Sequence, residues 1–333
     1  MEQQISLAHG SGGKLTRDLI ENTLVPRLNN PALAHLADAA DLQFDGDRLL
    51  FTTDSFVIRP LEFPGGDIGK LAVCGTVNDL AVSGARPLWL SCGLIIEEAF
   101  PMDRLERIID SLAQAAAEAG VSVVCGDTKV VESGSADGLF INTAGIGIPM
   151  DDFSPSAIQP GDKVLVSGTI GDHEAAVFRA REELGRNLPL DSDCASLHDL
   201  VATMIGAAGS IRVMRDPTRG GVGAVLNELA AGTACSISVE EDALPIKREV
   251  LGMCELVGFD PIYLANEGKL VCIVGADEAD VLLAAMRAHP LGEAAAIIGD
   301  VTADRHERIY LRTAFGGSRV ISLPTGVQLP RIC

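Results

Sequence analysis

Aromatic residues, basic charge and long apolar runs are all scarce in this chain. Only 4% of its 333 residues are aromatic, and Asp and Glu (46) outnumber Lys and Arg (26), which gives a formal net charge of −20. A chain this acidic is repelled by phosphate backbones, which argues against nucleic-acid binding. No apolar run is long enough to span a bilayer, and the first residues show no signal-peptide pattern. We therefore expect a cytoplasmic protein whose length suits two domains.

Cysteine patterns typical of zinc sites are also lacking. The eight cysteines include no Cys-x-x-Cys pair, and no histidine lies near one in a zinc pattern. Cys92, Cys125 and Cys272 lie within or at the end of apolar runs, so we expect buried, reduced thiols. Cys333 is different because it closes the printed chain after Pro330, in a segment that disfavours a helix. It is either an idle thiol or one that enters a pocket, receives a chemical group and passes it on.

Strands and helices alternate irregularly, which favours an α+β fold. The Pro- and Gly-rich segment 149–162 is the best domain boundary. We expect a first domain at 1–155, a second at 156–323 and a flexible tail at 324–333.

Hydrophobic spacing places the elements. The predicted strands are 48–53, 88–96, 121–125, 139–148, 163–167, 211–214, 236–239, 270–274, 297–301, 309–311 and 320–323, of which the last two form a hairpin. The predicted helices are 15–24, 68–81, 105–119, 172–184, 196–208, 223–231 and 247–257.

Three aspartates occupy positions where a charge is costly without a partner. Asp54 and Asp127 end apolar strand signals, and Asp79 lies in an otherwise apolar helix. Carboxylates that converge on Mg²⁺ would solve the problem, because hard oxygen ligands suit that ion and phosphates complete its shell. The alternative is three unrelated helix caps or ion pairs.

Two glycine-rich segments suit phosphate groups, although neither is specific alone. Residues 10–14 read Gly-Ser-Gly-Gly-Lys, but their spacing is not that of a P-loop, and a disordered arm is the alternative. Residues 215–222 join a strand to a helix start, where an anion is favoured. Glu267, beside Gly268 at a strand entrance, can be a base or a solvated turn residue; by itself the pattern favours the turn.

Together these motifs resemble the ATP-site motifs of the aminoimidazole ribonucleotide synthetase superfamily. They are Gly10–Lys14, Thr53–Ser55, Asn78–Ala85, Gly126–Thr128 and Asp216–Gly221. With the closing Pro-Arg-Ile-Cys, the whole chain resembles the hydrogenase-maturation members of that superfamily. Selenophosphate synthetases, another branch, carry a reactive Cys or selenocysteine near the first glycine loop, whereas no cysteine here precedes Cys74.

The resemblance implies a two-domain PurM-like fold. Its first domain is α/β and forms a β-barrel across a homodimer, and its second domain is α+β. It also implies a reaction in which Cys333 receives a carbamoyl group from the carbamoyltransferase HypF. ATP then drives dehydration of the thiocarboxamide to a thiocyanate. The cyano group passes to the iron carried by a HypC–HypD complex, for nickel–iron hydrogenase.

The resemblance further implies roles for individual residues. Glu267 is the candidate general base, Lys129 the group that polarises the carbonyl oxygen, and Cys333 the carrier of the cargo. Mg²⁺ would be held by Asp54, Asp79 and Asp127. The ATP-binding set is Gly12, Gly13, Lys14, Asp54, Asn78, Asp79, Asp127, Thr128, Asp216, Thr218 and Arg219. Two alternatives stay open: another ATP-dependent synthetase of the superfamily, such as a selenophosphate synthetase, and a carrier or docking protein that displays its C-terminal peptide.

Overall fold

The computed structural model describes most of the chain. The described residues are 4–6, 9, 18–28, 44, 46, 48–150, 153–182, 189–323, 329 and 331–333.

The first domain is built on a four-stranded sheet with the order β1-β6-β4-β5, in which only β4 and β5 are parallel. Its strands are β1 (Leu50–Phe56), β4 (Ala85–Glu97), β5 (Ser122–Val131) and β6 (Leu139–Pro149), and a small ribbon pairs β2 (Glu62–Phe63) with β3 (Gly66–Asp67). Side chains alternate between the two faces of each strand. One face packs on two helices, whereas the other carries exposed apolar side chains such as Phe51 (68% exposed) and Ile95 (42%).

The second domain holds a seven-stranded sheet with the order β13-β12-β9-β11-β7-β10-β8, in which only β9 and β12 are parallel. Its strands are β7 (Lys163–Val166), β8 (Ile211–Arg215), β9 (Ser236–Glu240), β10 (Val271–Val274), β11 (Ala296–Thr302), β12 (Ile309–Arg312) and β13 (Ser318–Ile321). Helices cover both faces, so that Val164 and Leu165 point into different hydrophobic cores. The predicted hairpin of the last two strands is confirmed.

Eight α-helices are found in the described part of the chain. They are α1 (Val25–Leu28), α2 (Ile68–Val82), α3 (Met102–Glu118), α4 (Asp172–Glu182), α5 (His198–Ala207), α6 (Gly221–Ala230), α7 (Arg248–Val257) and α8 (Ala279–Ala288). A π-helical turn, Ile20–Leu24, leads into α1. The α+β class is confirmed, although α8 was not predicted. None of the helices that the structure describes is long and apolar enough to cross a membrane.

The two domains share a continuous apolar core. Residues of α2 and α3 pack in the same cluster as Phe178 of α4, Val250 of α7 and Leu264. Cys92 and Cys272 are buried as predicted, but the expectation for Cys125 is wrong, because this thiol lies on the exposed face of β5. The shared core fixes the cleft between the domains, where the polar groups described next are gathered.

Candidate active site

Helix α2 carries polar groups into the cleft between the domains. Asp67 caps its N-terminus by accepting hydrogen bonds from the N–H groups of Gly69 (2.7 Å) and Lys70 (3.0 Å). The helix is almost wholly buried between the first sheet, α3 and the second domain. Its polar residues must therefore find partners inside the protein.

Asp79 of α2 is one of three carboxyl groups at the cleft that are linked by electrostatic effects on their pKa values. It accepts a hydrogen bond from the Thr52 hydroxyl at 2.8 Å. Burial raises its pKa, and burial likewise raises the pKa of Asp54, to which the charge of Asp79 contributes. Burial and the charge of Asp79 raise the pKa of Asp216 to about 7. We call Asp54, Asp79 and Asp216 the acidic cluster.

Glu267 lies beside this cluster in a tightly fixed turn. Its N–H donates to Asp193 Oδ1 at 3.0 Å, and its carbonyl accepts from Asn78 Nδ2 at 3.1 Å. The side chain is only 2% exposed, and its Oε1 has no hydrogen-bond partner. Burial, followed by the charge of Asp216, raises its pKa well above the ordinary value. Glu267 is therefore a buried carboxyl group and not the solvated turn residue that the pattern alone favoured.

Asn78 fastens α2 to the second domain. Its amide also donates to the Ala195 carbonyl (3.1 Å), and its Oδ1 accepts from the Leu197 N–H (2.8 Å). Both ends of the carboxamide are thus occupied by backbone groups. In this structure Asn78 positions the Glu267 turn, because both N–H groups and the Oδ1 atom of its carboxamide bind backbone groups of the second domain.

The end of the chain docks into the same cleft of its own subunit. Ile332 forms an antiparallel bridge with Ile58, the Val57 N–H donates to the Cys333 carbonyl (3.2 Å), and the Arg59 N–H donates to the Arg331 carbonyl (3.1 Å). Leu329 and Ile332 are buried in the first core. The predicted flexible tail is therefore held at its end in this conformation.

Docking places the Cys333 thiol among the charged groups of the cleft. Burial raises its pKa well above the ordinary value, and the charge of Glu267 adds to the rise, whereas the charge of Arg219 opposes it. Arg219 also acts on Asp54. The thiol, the buried glutamate and part of the acidic cluster are thus close enough to influence one another electrostatically.

Asp127 and Lys129 lie elsewhere in the subunit. Lys129 Nζ binds both carboxylate oxygens of Asp127 at 2.7 Å, in an exposed pair that lowers the pKa of Asp127. Across the sheet, Asp127 aligns with Gly93 and Asn142, whereas Asp54 aligns with Thr143, the neighbour of Asn142 on the opposite face.

Within one chain Asp127 therefore lies on the opposite sheet face from Asp54, and its predicted role beside Asp54 and Asp79 stays a prediction. The strand signal was expected to end at Asp127, but β5 continues to Val131, so alternation turns Asp127 away from α2. The β1 and β5 strands are also three strand spacings apart, about 14 Å. Asp216, and not Asp127, is the third carboxyl group whose pKa is raised, by burial and then by the charges of Asp79 and Asp54.

The remaining predicted ATP-site residues are in the glycine-rich segment 10–14, in the loop before α6 and on β5. Gly12, Gly13 and Lys14 lie outside the described residues. Thr218 lies in the loop before α6, where its carbonyl accepts from the Gly221 N–H. Thr128 is buried on the inner face of the edge strand β5.

Sequence reasoning missed the residues that hold the tail and the Glu267 turn. They are Asp137, His173, Arg181, Ser192 and Asp193. The polar run Gly171–Glu174 at a helix start could have marked His173 as a candidate site residue. No local sequence pattern marks the other four positions.

In the described part of the chain, no three His, Cys, Asp or Glu side chains stand close enough to form a metal site. The donor set nevertheless fits a hard divalent cation: three carboxyl groups with raised pKa values face one cleft, opposed by the charges of Arg215 and Arg219.

Comparison with known proteins agrees with the two-domain fold. The family models of "AIR synthase related protein" match residues 36–149 for the N-terminal domain and 159–312 for the C-terminal domain. Carbamoyl dehydratase HypE of Rhodobacter capsulatus is 49% identical over 337 residues, which cover 100% of this chain and 99% of that protein. The chain belongs to the HypE family.

Solved structures of the HypE family have the same fold. A crystal structure of HypE in complex with ATP superposes with a TM-score of 0.94 at 46% identity, covering 98% of this chain and 99% of the other. HypE in a HypE–HypF complex gives a TM-score of 0.80 at 46% identity, covering 92% of this chain and 99% of the other.

Proposed function

We propose that this protein is an ATP-dependent carbamoyl dehydratase that works on a group carried by its own Cys333. The observation that carries the proposal is the docked thiol beside buried Glu267 and the acidic cluster. A carrier thiol needs to reach the groups that change its cargo, and Cys333 is held among them. The ATP complex of a HypE relative supports the nucleotide requirement.

The chemistry starts from a thiocarboxamide, S–C(=O)–NH₂, on Cys333. Its carbonyl oxygen attacks the γ-phosphorus of ATP, the bond to ADP breaks, and one N–H proton leaves, which gives an S-bound iminophosphate. Loss of the second N–H proton then forms the C≡N bond as the C–O bond to phosphate breaks. The sum is thiocarboxamide and ATP converted to thiocyanate, ADP and phosphate.

Glu267 is the proposed general base for these proton transfers. A carboxylate whose pKa is raised by burial is a stronger base once it is ionised than an exposed one. Its Oε1 has no protein partner, so this atom is free to meet the substrate N–H. The charge of Arg219 acts on both Asp54 and Cys333, which suits stabilisation of the transferring phosphoryl group.

The acidic cluster is the proposed Mg²⁺ site, with Asp54, Asp79 and Asp216 as candidate ligands. When bound, Mg²⁺ would neutralise charge on the triphosphate. Gly12, Gly13, Lys14 and Thr218 remain proposed phosphate or nucleotide contacts.

Asp127 and Lys129 are proposed to act in a homodimer. The sheet face that carries them also exposes Leu49, Phe51 and Ile95, and such an apolar face is a typical interaction surface. Closing two of these sheets into a barrel would cover it and bring the edge strand β5 beside the partner subunit. Lys129 would then polarise the carbonyl oxygen, with Asp127 and Thr128 completing the nucleotide site, at the seam between subunits.

The proposed partners are a HypF-type carbamoyltransferase, which loads Cys333, and a HypC–HypD complex, whose iron receives the cyano group. The HypE–HypF complex of a relative supports the first. From Leu323 to Cys333 an extended chain spans about 33–36 Å, enough to reach another protein. The eight free thiols suit a reducing cytoplasm.

Phosphate release from ATP tests the proposal against its alternatives. With the tail carbamoylated, release should match the loss of water from Cys333 one to one, and unmodified protein should release little. A small-molecule synthetase such as a selenophosphate synthetase would release phosphate without tail modification, and a carrier or docking protein would release none.

A further inference from the structure

His173 lies at the point where the tail enters the cleft. It is fully buried, at 0% exposure, on the first turn of α4. Its Nε2 is 2.6 Å from the carbonyl oxygen of Ile332, the residue before the cargo cysteine, and its Nδ1 is 2.7 Å from the Ser192 hydroxyl. The ring also stacks edge-on against Phe63, with centroids 5.3 Å apart. The imidazole is thus immobilised on three sides.

These contacts determine the tautomer of the ring. A carbonyl oxygen can only accept, so Nε2 carries the proton and donates to Ile332. Nδ1 is then the acceptor, and the Ser192 hydroxyl donates to it. Ser192 is itself held, because its N–H donates to the Pro64 carbonyl (2.8 Å) and its Oγ accepts from the Cys194 N–H (3.1 Å).

We propose that His173 is a latch for the tail: a positioning residue that holds the backbone of Ile332 so that the group on Cys333 faces Glu267. The inference rests on the proposed function but concerns a separate step, the docking of the tail. The latch contacts the main chain and not the thiol, so it can hold the tail before and after the cargo is attached.

The other contacts of the tail are opposed by backbone strain at Arg331, so the hydrogen bond from His173 contributes to keeping the tail docked. Arg181 donates to the Arg331 carbonyl at 2.8 Å, and the Arg331 side chain pairs with Asp137. Against these, Arg331 adopts φ +59°, a left-handed conformation that is unfavourable for a residue with a Cβ. Docking is therefore a balance between contacts and strain, and losing one buried hydrogen bond should release the tail measurably.

Release has a consequence for loading. The docked thiol is only partly exposed, and desolvation raises its pKa, so it is protonated and less open to an acylating partner than in a released tail. Opening the latch therefore favours carbamoylation of Cys333, and closing it again returns the loaded tail to the groups that dehydrate its cargo.

The rate at which iodoacetamide alkylates Cys333 in the full-length protein tests the latch. Cleavage after Glu307 yields the peptide 308–333, whose only cysteine is Cys333 and which contains no Asp or Glu, so the mass of one peptide reports the rate. We expect His173→Leu, which keeps the bulk but loses the donor, to raise the rate at least about fivefold. His173→Gln, which keeps a donor, should restore much of the protection.

A second variant and the kinetics of dehydration complete the test. If His173→Leu does not fold, Ser192→Ala should raise the rate in the same direction, because the ring loses the donor that fixes its tautomer. In a folded variant, kcat for dehydration should fall while ATP affinity is kept. An alkylation rate equal to that of the wild type in His173→Leu, or His173→Gln as fast as His173→Leu, would overturn the latch. Dehydration by the wild-type protein would still support the proposed function.

Discussion

A Cβ atom on Gly268 would stand 1.8 Å from the carbonyl oxygen of Asp193. No side chain fits there, so the two backbones approach as closely as glycine allows. The same approach brings Asp193 Oδ1 to the Glu267 N–H and the Ala195 N–H towards the Glu267 carbonyl. The glycine after the proposed base is therefore part of what positions that base.

Replacing Gly268 with alanine should displace Glu267. We expect a loss of about 1–3 kcal/mol in the free energy of unfolding, because an inserted methyl group in a packed site forces the backbone apart. The rate of dehydration should fall by more than the change in stability explains. Urea unfolding and single-turnover phosphate release measure the two effects.

Gly252→Ala is the matched control. Gly252 lies inside α7, its φ is ordinary, and no heavy atom beyond its own helix backbone lies within 4 Å of the place that a methyl group would take. Alanine there should stabilise the protein by about 0.5–1 kcal/mol and leave the reaction unchanged. Equal effects at positions 252 and 268 would contradict the role given to Gly268.

Glu267→Gln tests the general base. The amide keeps the volume and cannot accept a proton from the substrate, so we expect dehydration to slow by about 10²–10⁴. Carbamoylation of Cys333 and binding of Mg-ATP should be largely preserved, since neither uses this carboxylate. Stopped-flow phosphate release on carbamoylated protein measures the rate, with ATP affinity as the control. A rate equal to that of the wild type would show that Glu267 is not the general base.

Asp216→Asn should make stability less dependent on pH. Burial raises the pKa of Asp216 to about 7, so the folded chain holds a proton that the unfolded chain, with a pKa near 4, has already lost. The wild type therefore loses stability as pH rises from about 4 to 7. Without nucleotide, the variant should be more stable than the wild type by on the order of 2 kcal/mol at pH 8, and the two should be nearly equal at pH 4.

Urea unfolding at the two pH values checks this prediction. The same substitution should weaken Mg-ATP binding, because the repulsion that costs stability is also what favours a cation. A stability difference that does not change with pH would show that Asp216 is ionised in the folded protein.

Mixed dimers test the proposed seam between subunits. Lys129→Ala and Glu267→Gln are each expected to be inactive. If Lys129 serves the partner's site, a dimer of one variant with the other keeps one intact site. Random mixing makes half of the dimers mixed, and each mixed dimer has one intact site out of two. About a quarter of wild-type activity should therefore return. No recovery after subunit exchange would place both residues in one subunit's site.

Periodicity predicted most elements because apolar faces impose it. Helix α2 and the strands of both sheets lie within a few residues of the predicted ranges. It failed where a strand outlasts its apolar run: β5 continues through Asp127 to Val131 because polar residues suit an exposed face. Because of this error, Asp127 and Lys129 were expected near α2, whereas they lie on the exposed face of the sheet.

The proposed active site could be predicted only in part. Cys333 and Glu267 were identified through resemblance, and the structure brings them together. The contacts of His173 with Ile332 and of Asp193 with Glu267 span 159 and 74 positions. No local pattern specifies such long-range partners, and only the docked chain shows them.

The mass of peptide 308–333 tests the central claim most directly. Carbamoylated protein is incubated with Mg-ATP and cleaved after Glu307, and the peptide is analysed by mass spectrometry. Cys333→Ser is the control, because it cannot carry a thiocyanate. We predict that the peptide loses the mass of one water and that one phosphate is released for each peptide changed. An unchanged carbamoylated peptide, in protein that binds ATP, would contradict the account.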